Sequence, residues 1–119
     1  HVPLSVKVRL GWDHVEGIAE IAQAAQSGGA AWLTVHARTR AQGYAPPVYW
    51  HALGIARRSV AIPVVANGDI TDRDALERCR QESGCHAFMI GRAALGRPEI
   101  FAQIRDPALP SLSLDELMH

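Results

Sequence analysis

Four times in 119 residues, a short aliphatic run is followed by a polar or glycine-bearing turn and then by a stretch of helical periodicity. This alternation constrains the fold more than any other feature of the chain. Strands that alternate with helices run parallel, because each helix must carry the chain back to the end of the sheet where the last strand began. The first unit has a strand over Leu4–Leu10, a Gly11-Trp12 turn and a helix from Val15 to Ser27. Asp13 and Glu16 have capping-box spacing at its start, and Gly28-Gly29 ends it. The second has a strand over Trp32–Arg38, a loop over Thr39–Pro47 and a helix from Val48 to Arg58. The third strand, Ile62–Ala66, is nearly all aliphatic. It breaks at Asn67-Gly68-Asp69, with Thr71 as the predicted cap of a helix reaching Glu82. The fourth strand, Ala87–Ile90, breaks at Gly91-Arg92 and leads into short helical stretches ending near Arg105.

Units of roughly 30 residues are those of the eight-stranded (β/α)8 barrel, of which four would make half. A doubly wound open sheet could also hold four strands, with its chemistry gathered at one switch point. Here every strand ends in polar or glycine-bearing residues, and that convergence favours the half barrel. The expected fold is therefore α/β, four consecutive β/α units over residues 1–106. Residues 107–119 read as a linker and the start of a helical element, with a second capping-box spacing at Ser113 and Glu116. The chain opens abruptly in a strand approach and stops soon after that cap, so it reads as a fragment. An unclosed parallel sheet would leave two edges able to pair with another copy.

The only lysine, Lys7, lies in the middle of the first strand, and the other eleven cations are arginines. Leu4, Val6, Val8 and Leu10 take one face, leaving Ser5, Lys7 and Arg9 on the other. Such a strand packs on something apolar and faces something polar or anionic. An antiparallel strand with a wet face would show the same pattern. An unpaired buried ammonium costs several kcal/mol, so a negative partner is expected beside Lys7, either Asp69 or a bound anion.

Formal net charge is zero, so no global basic field points to a nucleic acid. Cys79 and Cys85 form no CxxC pair and no zinc site, and are expected as reduced structural thiols. No apolar run is long enough for a membrane span, and a cytoplasmic location is expected by default. Trp12, Trp32 and Trp50 are expected to pack structurally.

The strand ends carry the chemistry. Glycine at Asn67-Gly68-Asp69 allows a sharp turn and close ligand approach, and Gly91-Arg92 repeats the arrangement one unit later. Together they make a plausible phosphate cradle, although either alone could be a simple tight turn. Lys7 and His36 face the same side of neighbouring strands. A lysine there can stabilise charge on a planar redox cofactor, and a histidine can bond its edge; a satisfied interior histidine is the alternative. Arg38, Arg40, Gln42 and Tyr44 form an arginine-rich loop suited to a phosphodiester backbone and a stacked base, or else a plain solvated surface.

The stretches VKVRLGW, LTVHARTRAQGY, IPVVANGDI and SGCHAFMIGRAALGRP, in this order, resemble the tRNA-dihydrouridine synthases. The likeness runs from Leu4 to about Ile104, over the second half of that family's flavin barrel. Trp50 and the Ser83-Gly84-Cys85 approach are most similar to the bacterial branch labelled C. The resemblance implies reduction of uridine in tRNA to dihydrouridine by FMN, itself reduced by NADPH. It implies that Lys7, His36, Asn67, Gly68, Asp69, Gly91 and Arg92 bind the flavin, with Gly91 and Arg92 on its phosphate. It further implies that Arg9 and Tyr44 lie near the target base, and Arg38 is expected with them on the substrate side.

Ala37 and Ala93 stand where the family usually has glycine. The family's catalytic cysteine matches neither Cys79 nor Cys85, so no catalytic residue is expected in this chain, which alone should be inactive. Two other readings remain at this point. One is half of a different FMN barrel acting on a small molecule, against which the Arg38–Tyr44 loop discriminates. The other is a non-catalytic half barrel that self-associates.

Overall fold

The structure, a computed structural model, describes residues 2–105. Four short strands form one parallel sheet: β1 (Ser5–Arg9), β2 (Trp32–His36), β3 (Val64–Asn67) and β4 (Ala87–Met89). Between them run α1 (Ile18–Ser27), α2 (Trp50–Ser59) and α3 (Arg73–Ser83). A 3-10 turn at Arg92–Ala94 and a short α4 (Ile100–Arg105) follow β4. The predicted linker and capped element at 107–119 lie outside the described residues.

Spatial order equals chain order, β1-β2-β3-β4. No strand order reverses, so the sheet has no switch point and the doubly wound alternative falls away. Right-handed crossovers between successive neighbours put the helices on one face. Accordingly α1 packs on α2 and α2 on α3. This is the singly wound arrangement of half a (β/α)8 barrel, as the strand ends implied.

Register sorts the side chains. Val6 lies opposite Leu33, and Val8 opposite Val35, Ala66 and Phe88 along the sheet. These point under the helices, where Leu33, Val35 and Ala66 are fully buried with Leu53, Ala56, Ile18 and Cys79. The other face carries Lys7, Thr34, Val65 and Ala87 in one row and Arg9, His36, Asn67 and Met89 in the next, nearer the carboxyl ends. Thr34, His36 and Asn67 are buried on that face, whereas Lys7, on the first strand, is exposed rather than buried.

Two of the three tryptophans depart from expectation. Trp50 is buried, but Trp32 is 40% exposed on the same face as Lys7 and Trp12 is 69% exposed. Trp12 lies at the rim, where its ring meets the Arg40 guanidinium rather than the core.

Helix starts also shift. Asp13 does not cap α1; its carboxylate pairs with the adjacent His14 Nδ1 at 2.9 Å, and the helix starts at Ile18 without a side-chain cap. In α3 the cap is Asp72, one residue past Thr71, whose carboxylate accepts the Ala75 N–H at 2.8 Å. Its C-terminal end follows the simple rule, with Gly84 in the left-handed conformation at φ 74°. Cys79 and Cys85 are free and buried. Burial pushes the Cys79 thiol up to about 12 and raises that of Cys85, so both stay protonated.

Candidate functional site

All four strands deliver residues to one cleft at their carboxyl ends. Lys7 comes from β1, His36 and Arg38 from β2, Asn67 to Thr71 from β3, and Met89 and Gly91 to Ala93 from β4. Tyr44 reaches in from the loop after β2. The cleft measures about 290 Å³ and sets three cations (Lys7, Arg38, Arg92) against one carboxylate, Asp69. Such a surplus attracts an anion.

The turn after β3 forms the floor. Asn67 is buried and donates its Nδ2 to the Met89 carbonyl at 2.8 Å, strapping β3 to β4. Gly68 follows at φ 123°, and a Cβ there would come within 3.0 Å of His36 Cδ2 and 3.1 Å of Val48 Cγ2. Glycine is required both for the backbone and for the space. Asp69 also has positive φ, 51°, a conformation that aspartate tolerates better than most residues. The Gly68 carbonyl accepts the indole N–H of Trp50 at 2.9 Å. Trp50 thus positions the turn, a role that sequence reading assigned only to packing.

Asp69 is the anion at the centre of the cleft, but it does not pair with Lys7. Its Oδ2 accepts from Arg38 Nη2 at 2.5 Å, and Oδ1 from Arg92 Nη2 at 3.3 Å. The Arg38 hydrogen bond holds its carboxyl below the usual range. Lys7 has no ion pair among the described residues.

Arg38 is where expectation and structure differ most. Instead of projecting from a solvated loop towards a phosphodiester, it is 2% exposed. The chain folds back at Ala37-Arg38, where the Arg38 N–H bonds the His36 carbonyl at 2.7 Å. Nε then donates to the Ala45 carbonyl at 3.0 Å, and Nη1 lies 3.2 Å from His36 Nε2. With its guanidinium committed on three sides, Arg38 supports the floor and is no rim contact.

His36 is buried at 8% exposure. Desolvation, reinforced by Arg9, Arg38 and Lys7, lowers its pKa to about 4, so the ring is neutral at physiological pH. Arg9 donates to the Thr39 carbonyl at 3.1 Å and to the Gly43 carbonyl, tying the loop to β1. Gln42 knits the same loop, accepting from the Thr39 N–H at 2.8 Å and donating to the Pro47 carbonyl at 2.8 Å. Tyr44 is exposed between two guanidiniums, Arg92 at 4.3 Å and Arg9 at 5.3 Å from the ring centroid. Arg40 lies over Trp12 at 5.9 Å, on the outer rim.

Gly91 also lines the cleft, and a Cβ there would meet nothing within 4 Å. Protein packing does not demand glycine at this position; a ligand against the backbone would. Ala37 is fully buried, and Ala93 lines the cleft. Cys79 and Cys85 do not line it. Among the described residues no His, Cys, Asp or Glu cluster could hold a metal ion. No helix among them is long and apolar enough to cross a membrane.

The sequence model of the dihydrouridine synthase (Dus) family matches residues 1–113. The chain belongs to the dihydrouridine synthase family. Its relatives include the tRNA-dihydrouridine(16) synthase of Escherichia coli K12, 48% identical over 113 residues, and that of Salmonella typhimurium, 47% identical over the same length. Each match covers 92% of this chain and 36% of the relative. The Yersinia pestis enzyme of the same name is 41% identical over 121 residues, covering 99% of this chain and 39% of its own length. The chain thus spans a little over a third of these dihydrouridine synthases. The family likeness read from the four sequence stretches is borne out.

Proposed function

We propose that this chain forms the flavin-holding side of a tRNA-dihydrouridine synthase. FMN would occupy the cleft, NADPH would be the reductant, and uridine in tRNA the substrate. The observation that carries this reading is the delivery of four strand ends to one cationic cleft in a chain of this family. A flavin mononucleotide joins a phosphate to a planar ring with polar edges, and the lining suits both. Gly91 leaves backbone bare for close approach, and Arg92 is exposed, held by a long contact to Asp69 and by the face of the Tyr44 ring. An exposed pair of that kind is worth little, so Arg92 can turn to a phosphate at small cost. Asn67 spends its amide N–H on Met89, leaving its Oδ1 to accept from a ring edge.

When bound, FMN supplies the hydride that reduces the uracil ring. Lys7 holds an unpaired positive charge on the open face of β1, where it stabilises negative charge on a ligand. His36, neutral and fixed by Arg38, offers a hydrogen bond without adding charge. Arg9 and Tyr44 make the wall nearest the arginine-rich loop and suit a stacked base with an anionic backbone. Cys79 and Cys85 are packed away from the cleft as protonated thiols, so no residue here is assigned as proton donor to the uracil. Work on tRNA fits a cytoplasmic enzyme.

The test is an assay of the full-length protein with FMN, NADPH and unmodified tRNA, read as dihydrouridine by mass spectrometry of the digested product. Dihydrouridine is expected only when all three are present. Reduction of a free pyrimidine with tRNA left untouched would favour a small-molecule flavin enzyme instead.

A further inference from the structure

The contact between Arg38 Nη1 and His36 Nε2, 3.2 Å in a buried setting, has a consequence for the imidazole. A guanidinium has donors and no acceptor, so an Nε2 facing it can only accept. The bare lone pair is therefore on Nε2. A neutral ring carries one proton, which must sit on Nδ1. Turning the ring by half a revolution would set Cε1–H against the arginine donor and leave that donor buried without an acceptor. Protonating both nitrogens would press an N–H against a cation.

Arg38 has no freedom to swing away. Its Nε is bound to the Ala45 carbonyl at 3.0 Å and its Nη2 to Asp69. The ring is equally confined, since its Cδ2 lies close to the turn at Gly68. The charged groups facing the imidazole are the cations Arg9, Arg38 and Lys7 and the carboxylate of Asp69. Nδ1 has no protein partner among the described residues, yet it is not a sealed, unsatisfied atom, and His36 lines the cleft. Its proton is available to a ligand.

We propose that Arg38 is a positioning residue that fixes His36 as the Nδ1–H tautomer, so that the ligand group seated against His36 is a hydrogen-bond acceptor, a carbonyl oxygen or an unprotonated ring nitrogen. The tautomer follows from the protein alone, whereas the nature of the acceptor rests on the flavin reading above. A donor-only imidazole discriminates against a ligand edge that presents an N–H at this point, because two donors would then face each other.

The experiment is long-range 1H–15N correlation NMR of the full-length protein labelled at histidine nitrogens, without added ligand, with His36 assigned from its loss in His36→Gln. Between pH 6 and 8 a protonated Nδ1 and a bare Nε2 are expected. A protonated Nε2 in the wild-type protein overturns the proposal without recourse to any variant. In Arg38→Met, where the ring loses its donor, proton density is expected to move to Nε2. Should that variant fold and keep Nδ1–H as its sole tautomer, the positioning role is overturned. In Arg38→Lys, which retains a donor, the wild-type pattern is expected to persist at least in part, and complete loss counts against the role. The flavin reading is separable: Nδ1–H with no FMN binding overturns that reading alone, and FMN binding with Nε2–H overturns this inference alone.

Discussion

The indole N–H of Trp50, the first residue of α2, donates to the backbone oxygen of Gly68 at 2.9 Å. One helix thus fixes the turn leaving the following strand. The residue that packs the core also sets the floor of the cleft. Trp50→Phe keeps most of the packing but leaves the buried Gly68 oxygen without its donor, a loss of about 1–3 kcal/mol. Urea denaturation should show that loss in the midpoint, and FMN affinity should fall with it. Full stability in this variant would show that the turn holds its shape without the indole.

Gly68→Ala should do more local damage. At φ 123°, with His36 Cδ2 at 3.0 Å from the added carbon, the new methyl meets both backbone strain and a clash. We expect destabilisation of about 1–3 kcal/mol. His36 is pushed as well, so its NMR signals should shift more than those of the other histidines.

Acid sensitivity follows from His36. Its folded pKa of about 4 lies below the ordinary histidine value of 6.5, so the folded state resists the proton that the unfolded chain takes up. The neutral ring's contribution is fully present above about pH 6.5 and lost as pH falls towards 4. Asp69 acts in the same direction at lower pH, since Arg38 depresses its carboxyl and protonation removes that pairing. Denaturation midpoints at pH 7.5, 6 and 5 should therefore fall in order. In His36→Gln the drop between pH 6.5 and 5 should shrink. An unchanged pH profile in that variant would assign the sensitivity elsewhere.

Much of this was legible in the chain itself. Strand–helix alternation and polar strand ends were enough for a parallel half barrel and for a shared site. Aliphatic alternation in Val6, Val8, Leu33 and Val35 gave the correct faces. Arg38 was not legible, because an arginine in a polar loop gives no sign that the chain will fold back and bury it. Trp50 was missed for a related reason. Its indole meets Gly68 eighteen residues on, a tertiary contact without local signature. The start of α1 was misjudged because Asp13 and Glu16 have the right spacing, while the Asp13 carboxylate is taken by its neighbour His14.

The two arginines of the loop should now behave differently. Arg40 is exposed on the rim, so Arg40→Glu should leave stability nearly unchanged, weaken tRNA binding and reduce its salt dependence by a slope of about 1. Arg38→Glu would set a second carboxylate against Asp69 in a buried place and should impair folding before any question of tRNA arises. If Arg40→Glu binds and modifies tRNA as well as wild type, that side of the rim is not a tRNA surface.

The most direct measurement is flavin titration of the full-length protein, wild type beside Lys7→Ala and Arg92→Glu. If four strand ends serve one cofactor, wild type binds FMN with one-to-one stoichiometry and visible flavin absorbance, and each substitution weakens binding at least tenfold while the fold survives. A folded wild-type protein that takes up no FMN would contradict the assignment, as would variants from opposite edges of the sheet that bind it undiminished.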